Sequence, residues 1–135
     1  MTHQNDIRRI QHIGSTIMIV MMDVEAGHEA AFDRWYNEEH LPERMEIPGY
    51  ISARRFKLME GEGVLQYLCI WELEDASPLA REMFKMQKNR PSWIRAEAYP
   101  HITQRARGVY QQIFPLQGAF EDHSGSYPKP VGVKP

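Results

Sequence analysis

The sequence predicts an α+β domain of the ferredoxin-like type, with a four-stranded antiparallel sheet and helices on one face, in the order β-α-β-β-α-β. Three observations predict it. Apolar residues alternate in three early stretches, Ser15 to Val24, Ile47 to Met59 and Val64 to Glu74. Aromatic residues recur at helical spacing between the first two stretches. A second helical pattern and a last extended segment follow the third.

In chain order, residues 1–14 (MTHQNDIRRIQHIG) are polar with no sustained period and read as an N-terminal arm ahead of a domain at 15–114. STIMIVMMDV is rich in β-formers and apolar on both alternating sets, Ile17, Ile19 and Met21 against Met18, Val20 and Met22, so it asks for a strand covered on both faces. EAGHEAAFDRWYNEEHLPERM places Phe32, Trp35, Tyr36 and Glu39 at helical spacing. It predicts a helix from about His28 that breaks near Leu41, because Pro42 has no amide hydrogen and restricts the residue before it. IPGYISARRFKLM opens with a Pro-Gly turn and then extends, with Ile51 and Ala53 on one face and Tyr50, Ser52, Arg54 and Phe56 on the other. EGEG makes the hairpin connection to VLQYLCIWELE, whose two faces carry Leu65, Tyr67, Cys69 and Trp71 against Val64, Leu68 and Ile70. DASPLAREMFKMQKN offers Ser77 as an N-cap with Pro78 at the first helical position. RPSWIRAEAYPHI is a short broken helical piece and TQRARGVYQQIF the last strand. Residues 115–135, with four prolines and three glycines, form a C-terminal extension poor in regular structure.

Both helices would cover one face of this sheet, yet the strands are apolar on both sides. An apolar face of that size is normally covered by a partner, and two-fold pairing of sheet faces makes a homodimer the expected assembly.

A chain of 135 residues and 15.8 kDa suits one domain. A formal charge of −2 and a pI near 6.3 give no electrostatic footprint for a nucleic-acid backbone. The longest apolar run, TIMIVMM, is about a third of the roughly 20 residues a bilayer span needs, and it has no secretory cleavage pattern. With one cysteine, Cys69, no intrachain disulfide is available, and a cytoplasmic setting is expected with neither nucleic acid nor membrane as partner.

The chemistry concentrates in FDRWYNEEHLPERM, Phe32 to Met45. On a helix Tyr36, His40 and Arg44 are four apart, as are Trp35, Glu39 and Glu43. Burial lowers an imidazole pKa and a nearby carboxylate raises it, so His40 beside Glu39 and Glu43 has the makings of a general acid or base poised near neutrality. The plainer reading keeps His40 as a helix-end residue bonding free carbonyls, with the glutamates paired to Arg34 or Arg44.

The stretch FDRWYNEEHLPERMEIPGYISARRF resembles the first helix and second strand of EthD-like proteins, most sharply in WYNEEHLPE and PGYISARR. These belong to the dimeric α+β barrel superfamily, with muconolactone-type isomerases, polyketide cyclases and cofactor-free monooxygenases. The resemblance covers residues 15–114. It implies two ferredoxin-like protomers pairing as a barrel with a hydrophobic cavity in each, and it implies that the histidine of the EHLP element, His40, faces that cavity. The N-terminal arm and the 115–135 extension go beyond the short family form.

Other residues are weighed beside this set. Arg54 and Arg55 point to opposite faces of their strand, so one points inward and needs an anionic partner, from a glutamate or from a ligand. Tyr67 and Trp71 share a face and offer an aromatic wall, or simply core packing. His101, in YPHIT, is either a second proton-transfer group at the cavity mouth or a surface turn residue. Cys69 reads as a small hydrophobe rather than a nucleophile. No two histidines stand at metal-ligand spacing and no glycine-rich phosphate loop follows a strand, so neither metal nor cofactor is expected.

The function expected is a cofactor-independent enzyme of lyase, isomerase or cyclase type acting on a hydrophobic oxygenated or aromatic small molecule. His40 would move the proton, Glu39 or Glu43 would tune it, and Tyr36, Arg54, Tyr67, Trp71, Trp35 and His101 would bind substrate. The alternatives are a non-catalytic ligand-binding or accessory protein of an oxidative or degradative pathway, and a cofactor-free monooxygenase.

Overall fold

A computed structural model describes residues 14–88 and 90–115. Apart from Gly14 and Pro115, the arm at 1–14 and the extension at 115–135 lie outside the described residues. Strand β1 (Thr16–Val24) is followed by helix α1 (Glu29–Trp35), a π turn (Tyr36–His40) and helix α2 (Leu41–Met45). Strands β2 (Tyr50–Lys57) and β3 (Tyr67–Leu73) form the hairpin. A 3₁₀ turn (Ser77–Ala80), α3 (Glu82–Lys88), α4 (Trp93–Ala98) and a second 3₁₀ turn (Tyr99–His101) lead into β4 (Ile102–Gln111). The sheet is antiparallel in the order β2-β3-β1-β4, so the ferredoxin-like β-α-β-β-α-β reading holds.

The helix does not break at Leu41. The chain widens to a π turn, in which the amide of Leu41 donates to the carbonyl of Tyr36. The amide that Pro42 lacks is thereby absorbed at an irregular turn, and α2 continues to Met45. The second helical region differs as well. Ser77 does not cap it: Asp75 Oδ1 accepts from the Ser77 amide at 2.8 Å, and only a short 3₁₀ turn follows. Ser92 is the working cap, its Oγ accepting from the Arg95 amide at 3.1 Å.

Strand alternation sends Met18, Met22, Tyr67, Cys69, Trp71 and Leu73 toward the helices, where Phe32, Trp35 and Tyr36 of the first helical segment bury against them. Phe32 is fully buried, with its ring 4.9 Å from that of Tyr67. Burial of one such side chain contributes roughly 1.5–3 kcal/mol. A register shift between Tyr50 and Ser52 alters the faces expected for β2. Tyr50 pairs with Leu73, Ala53 with Trp71 and Arg55 with Cys69, all on the helix side, whereas Ser52, Arg54 and Phe56 lie opposite. That opposite face also carries Ile17, Ile19 and Met21 of β1 with Leu68 and Ile70 of β3, and no helix of the described residues covers it. No helix among the described residues is long and apolar enough to cross a membrane.

Candidate functional site

In a π turn, residues five apart stand nearly above one another. His40 therefore stacks on Trp35, with ring centroids 4.5 Å apart and planes 21° apart. Tyr36 meets the imidazole edge-on at 4.9 Å and Trp71 from the sheet does so at 5.6 Å. The free edge of the ring lies on a cavity of about 130 Å³ between the helices and the β1–β4 half of the sheet. Met18, Val20, Met22 and Trp35 make its apolar wall.

The remaining wall is cationic. Arg44 of α2, Arg90, Arg95 of α4, and Arg105 and Arg107 of β4 all line it, against two carboxylates, Glu39 and Glu43. The sheet register explains the last pair: Arg105 stands opposite Met22 and Arg107 opposite Val20, so both reach the helix face of an edge strand. Arg44 is buried and donates to Gln87 Oε1 at 3.4 Å, while Gln87 Nε2 donates to the Glu43 carbonyl at 2.6 Å. Tyr99 presents its phenol between two guanidiniums, accepting from Arg105 Nη2 and packing under Arg95 at 4.5 Å.

Neither glutamate tunes the imidazole in the expected way. Glu39 accepts from Ser92 Oγ at 2.6 Å, and Glu43 pairs with Arg90 at 3.5 Å. Burial, reinforced by the positive fields of Arg44, Arg95 and Arg105, lowers the His40 pKa to about 3, so the ring is neutral at physiological pH rather than poised near 7. Burial pushes Glu43 up, with Arg90 opposing it. Burial also pushes the Tyr99 phenol up, but Arg105 and Arg95 together outweigh it and hold the group below the usual phenol range.

The structure thus brings His40, Glu39, Glu43 and Trp35 to one cavity, with Tyr36 and Trp71 packed behind the imidazole. It separates three other expected binding residues from it. Arg54 lies on the opposite face of the sheet, exposed, with its guanidinium 5.0 Å from the Phe56 ring. Its neighbour Arg55 is the inward one, and its partners are Asp33 Oδ1 at 2.8 Å and Asn37 Oδ1 at 2.7 Å. Tyr67 packs beside Arg55 and Phe32, and His101 sits with Glu25 and His28. Arg44, read from the sequence only as a neighbour of His40 and a partner for the glutamates, lines the cavity, and the residues missed altogether are Tyr99, Arg90, Arg95, Arg105 and Arg107. The one available signal was QRAR in the last strand, whose two arginines, two apart, must share a face.

Comparison with known proteins agrees on the fold. A dimeric ferredoxin-like protein from an uncultured marine organism superposes with a TM-score of 0.54 at 11% identity, covering 76% of this chain and 90% of that one. SnoaB, a cofactor-independent oxygenase from Streptomyces nogalater, gives 0.50 at 15% identity over 76% of this chain and 98% of that one. An ethyl tert-butyl ether D (EthD) family protein from Bacillus halodurans gives 0.47 at 15% identity over 69% of this chain and 96% of its own. The matches at 0.50 and above sustain the ferredoxin-like fold read from the sequence. No curated protein matches the sequence significantly. Residues 15–112 match the family described as a domain of unknown function, DUF4286, and the chain belongs to that family.

Proposed function

We propose that the cavity beside His40 takes a small molecule with an apolar body and an anionic group, and that the chain is a cofactor-independent, cytoplasmic enzyme of proton-transfer type. The observation that carries this reading is the convergence of five arginines on one small cavity with an apolar wall. Five guanidiniums stand against two carboxylates in the lining, so a purely hydrophobic ligand would meet a wall of net positive charge. A carboxylate, enolate or phenolate answers them, and Met18, Val20, Met22 and Trp35 accept the rest of the molecule.

The ligand also changes the base. Its negative charge offsets the fields of Arg44, Arg95 and Arg105, which raises the His40 pKa from the value near 3 it has without a ligand. The neutral imidazole then takes a proton from carbon next to a carbonyl. The electron pair moves onto the carbonyl oxygen, and Tyr99 with Arg105 stabilises the oxyanion. Isomerisation, elimination or cyclisation follows from where that proton is returned. The apolar outer sheet face supports a homodimer, in line with the superfamily resemblance.

A second reading is a non-catalytic binder of the same anions. It is favoured by the engagement of Glu39 with Ser92 and of Glu43 with Arg90, which leaves His40 without a carboxylate to orient it among the described residues.

Calorimetry with a panel of aryl and alicyclic carboxylates, each beside its neutral amide, tests the charge argument. The carboxylates bind at least tenfold more tightly, and Arg107→Met reduces that preference. Equal affinity for acid and amide across the panel refutes it. With a substrate identified, His40→Ala abolishes turnover in an enzyme, and a chain that binds but never turns over is the binder.

A further inference from the structure

Away from the cavity, the turn between β1 and α1 meets the start of β4. Glu25 and His101, 76 positions apart in sequence, are joined there by a hydrogen bond of 2.7 Å between His101 Nδ1 and Glu25 Oε1. The same carboxylate oxygen is 3.5 Å from His28 Nε2, and the two imidazoles are stacked 3.4 Å apart with planes 9° apart. One potential ligand atom from each residue lies within 4.8 Å of those of the other two.

We infer that Glu25, His28 and His101 form a surface site for a divalent first-row transition-metal ion such as zinc or nickel. Three arguments support it. The donor set is two imidazoles and one carboxylate, and it is the two borderline imidazole nitrogens that suit such ions and disfavour magnesium or calcium. The backbone is fixed by its own hydrogen bonds: the Glu25 amide donates to the His101 carbonyl at 2.9 Å and the His28 amide to the Glu25 carbonyl at 3.1 Å. The Phe32 amide ties His28 into the first turn of α1 at 3.1 Å, so only side-chain rotations separate the cluster from a ligating geometry.

A tetrahedral ion with bonds of about 2.0–2.2 Å holds its ligand atoms roughly 3.3–3.6 Å apart. Of the two contacts to Glu25 Oε1, the one at 3.5 Å already has that separation, and the one at 2.7 Å must open as the ion enters. The imidazole planes turn toward each other as the ion enters and takes over the bridging role of the carboxylate. The side chains remain 31–56% exposed, which leaves the other positions on the ion to water. Sequence spacing hid the site, because only folding brings residue 101 to residues 25 and 28. A bound ion would staple the β1–α1 turn to the segment that carries Tyr99, two residues before His101.

The test uses the untagged full chain, stripped with a chelator and titrated with zinc and nickel salts in a calorimeter. One ion binds per chain, and His28→Ala, His101→Ala and Glu25→Gln each weaken it by at least about tenfold. Asparagine in place of His3, His12 and His123 leaves the affinity unchanged. A second measurement does not depend on the variants folding: nickel added to the isotope-labelled wild type broadens the amide signals of residues 25–29 and 100–103 first. No binding at tenfold metal excess, binding indifferent to His28 and His101, loss in the triple asparagine variant, or broadening centred elsewhere would each overturn the assignment.

Discussion

The imidazole of His40 makes stability depend on pH in a way that can be calculated. In the unfolded chain a histidine titrates near 6.5, whereas in the fold burial and the fields of Arg44, Arg95 and Arg105 lower this one to about 3. A depressed histidine pKa means that the unfolded state binds more protons between the two values. The fold is therefore favoured fully above about pH 6.5 and loses stability as pH falls toward 3. At about pH 5 the unfolded imidazole is almost wholly protonated and the folded one almost wholly neutral, so this group removes about 2 kcal/mol relative to about pH 7.5. His40→Gln has no proton to take up and escapes that loss. The assay is urea unfolding followed by circular dichroism at fixed chain concentration, for both chains at both pH values. Subtracting one pH dependence from the other isolates the contribution of this ring. Parallel pH dependences in the two chains would refute the buried, arginine-flanked placement of the ring.

Further outcomes follow from other parts of the structure. Ile19→Lys puts a charge in the middle of the outer sheet face, beside Ile70 and Gly108. Sedimentation equilibrium should then report one 15.8 kDa chain where the parent gives two, and a parent that is already monomeric excludes the dimer. Arg105→Gln removes a guanidinium that holds the Tyr99 phenol low. Its alkaline absorbance titration should show one tyrosine ionising later than in the parent, and an unchanged curve contradicts the contact. Phe32→Ala empties a fully buried site under the sheet. It should cost about 3–5 kcal/mol by denaturant midpoint, and a loss below about 1 kcal/mol would mean that the ring is not in the core.

The fold was legible because alternation and helical spacing are local signals that tertiary packing here reinforces. Met18 and Met22 fall on the inner face of β1 as their period requires, and Phe32, Trp35 and Tyr36 meet them across the layer. Two local exceptions carried most of the errors. A register shift after Tyr50 moved Arg54 to the far face, and no residue type in YISARR announces it. The π turn before Pro42 let the helix run on, and with it the fivefold spacing that stacks His40 on Trp35 instead of leaving it at a frayed end.

The cationic wall was illegible for a different reason. Arg44, Arg90, Arg95, Arg105 and Arg107 belong to two helices, the connection between α3 and α4, and an edge strand. In the sequence they are diluted by an overall charge of −2. Only the sheet order β2-β3-β1-β4, which places β4 beside β1 at an edge, turns the arginines of the last strand toward the helices that carry the others. Such a cluster works against folding through mutual repulsion, and Glu39 and Glu43 compensate it only in part. An anion that settles among these guanidiniums relieves that repulsion. It should therefore stabilise the fold in proportion to its occupancy, by RT ln(1 + [L]/Kd). The same charge returns basicity to His40, so on this reading ligand recognition and the readiness of the base are one electrostatic event.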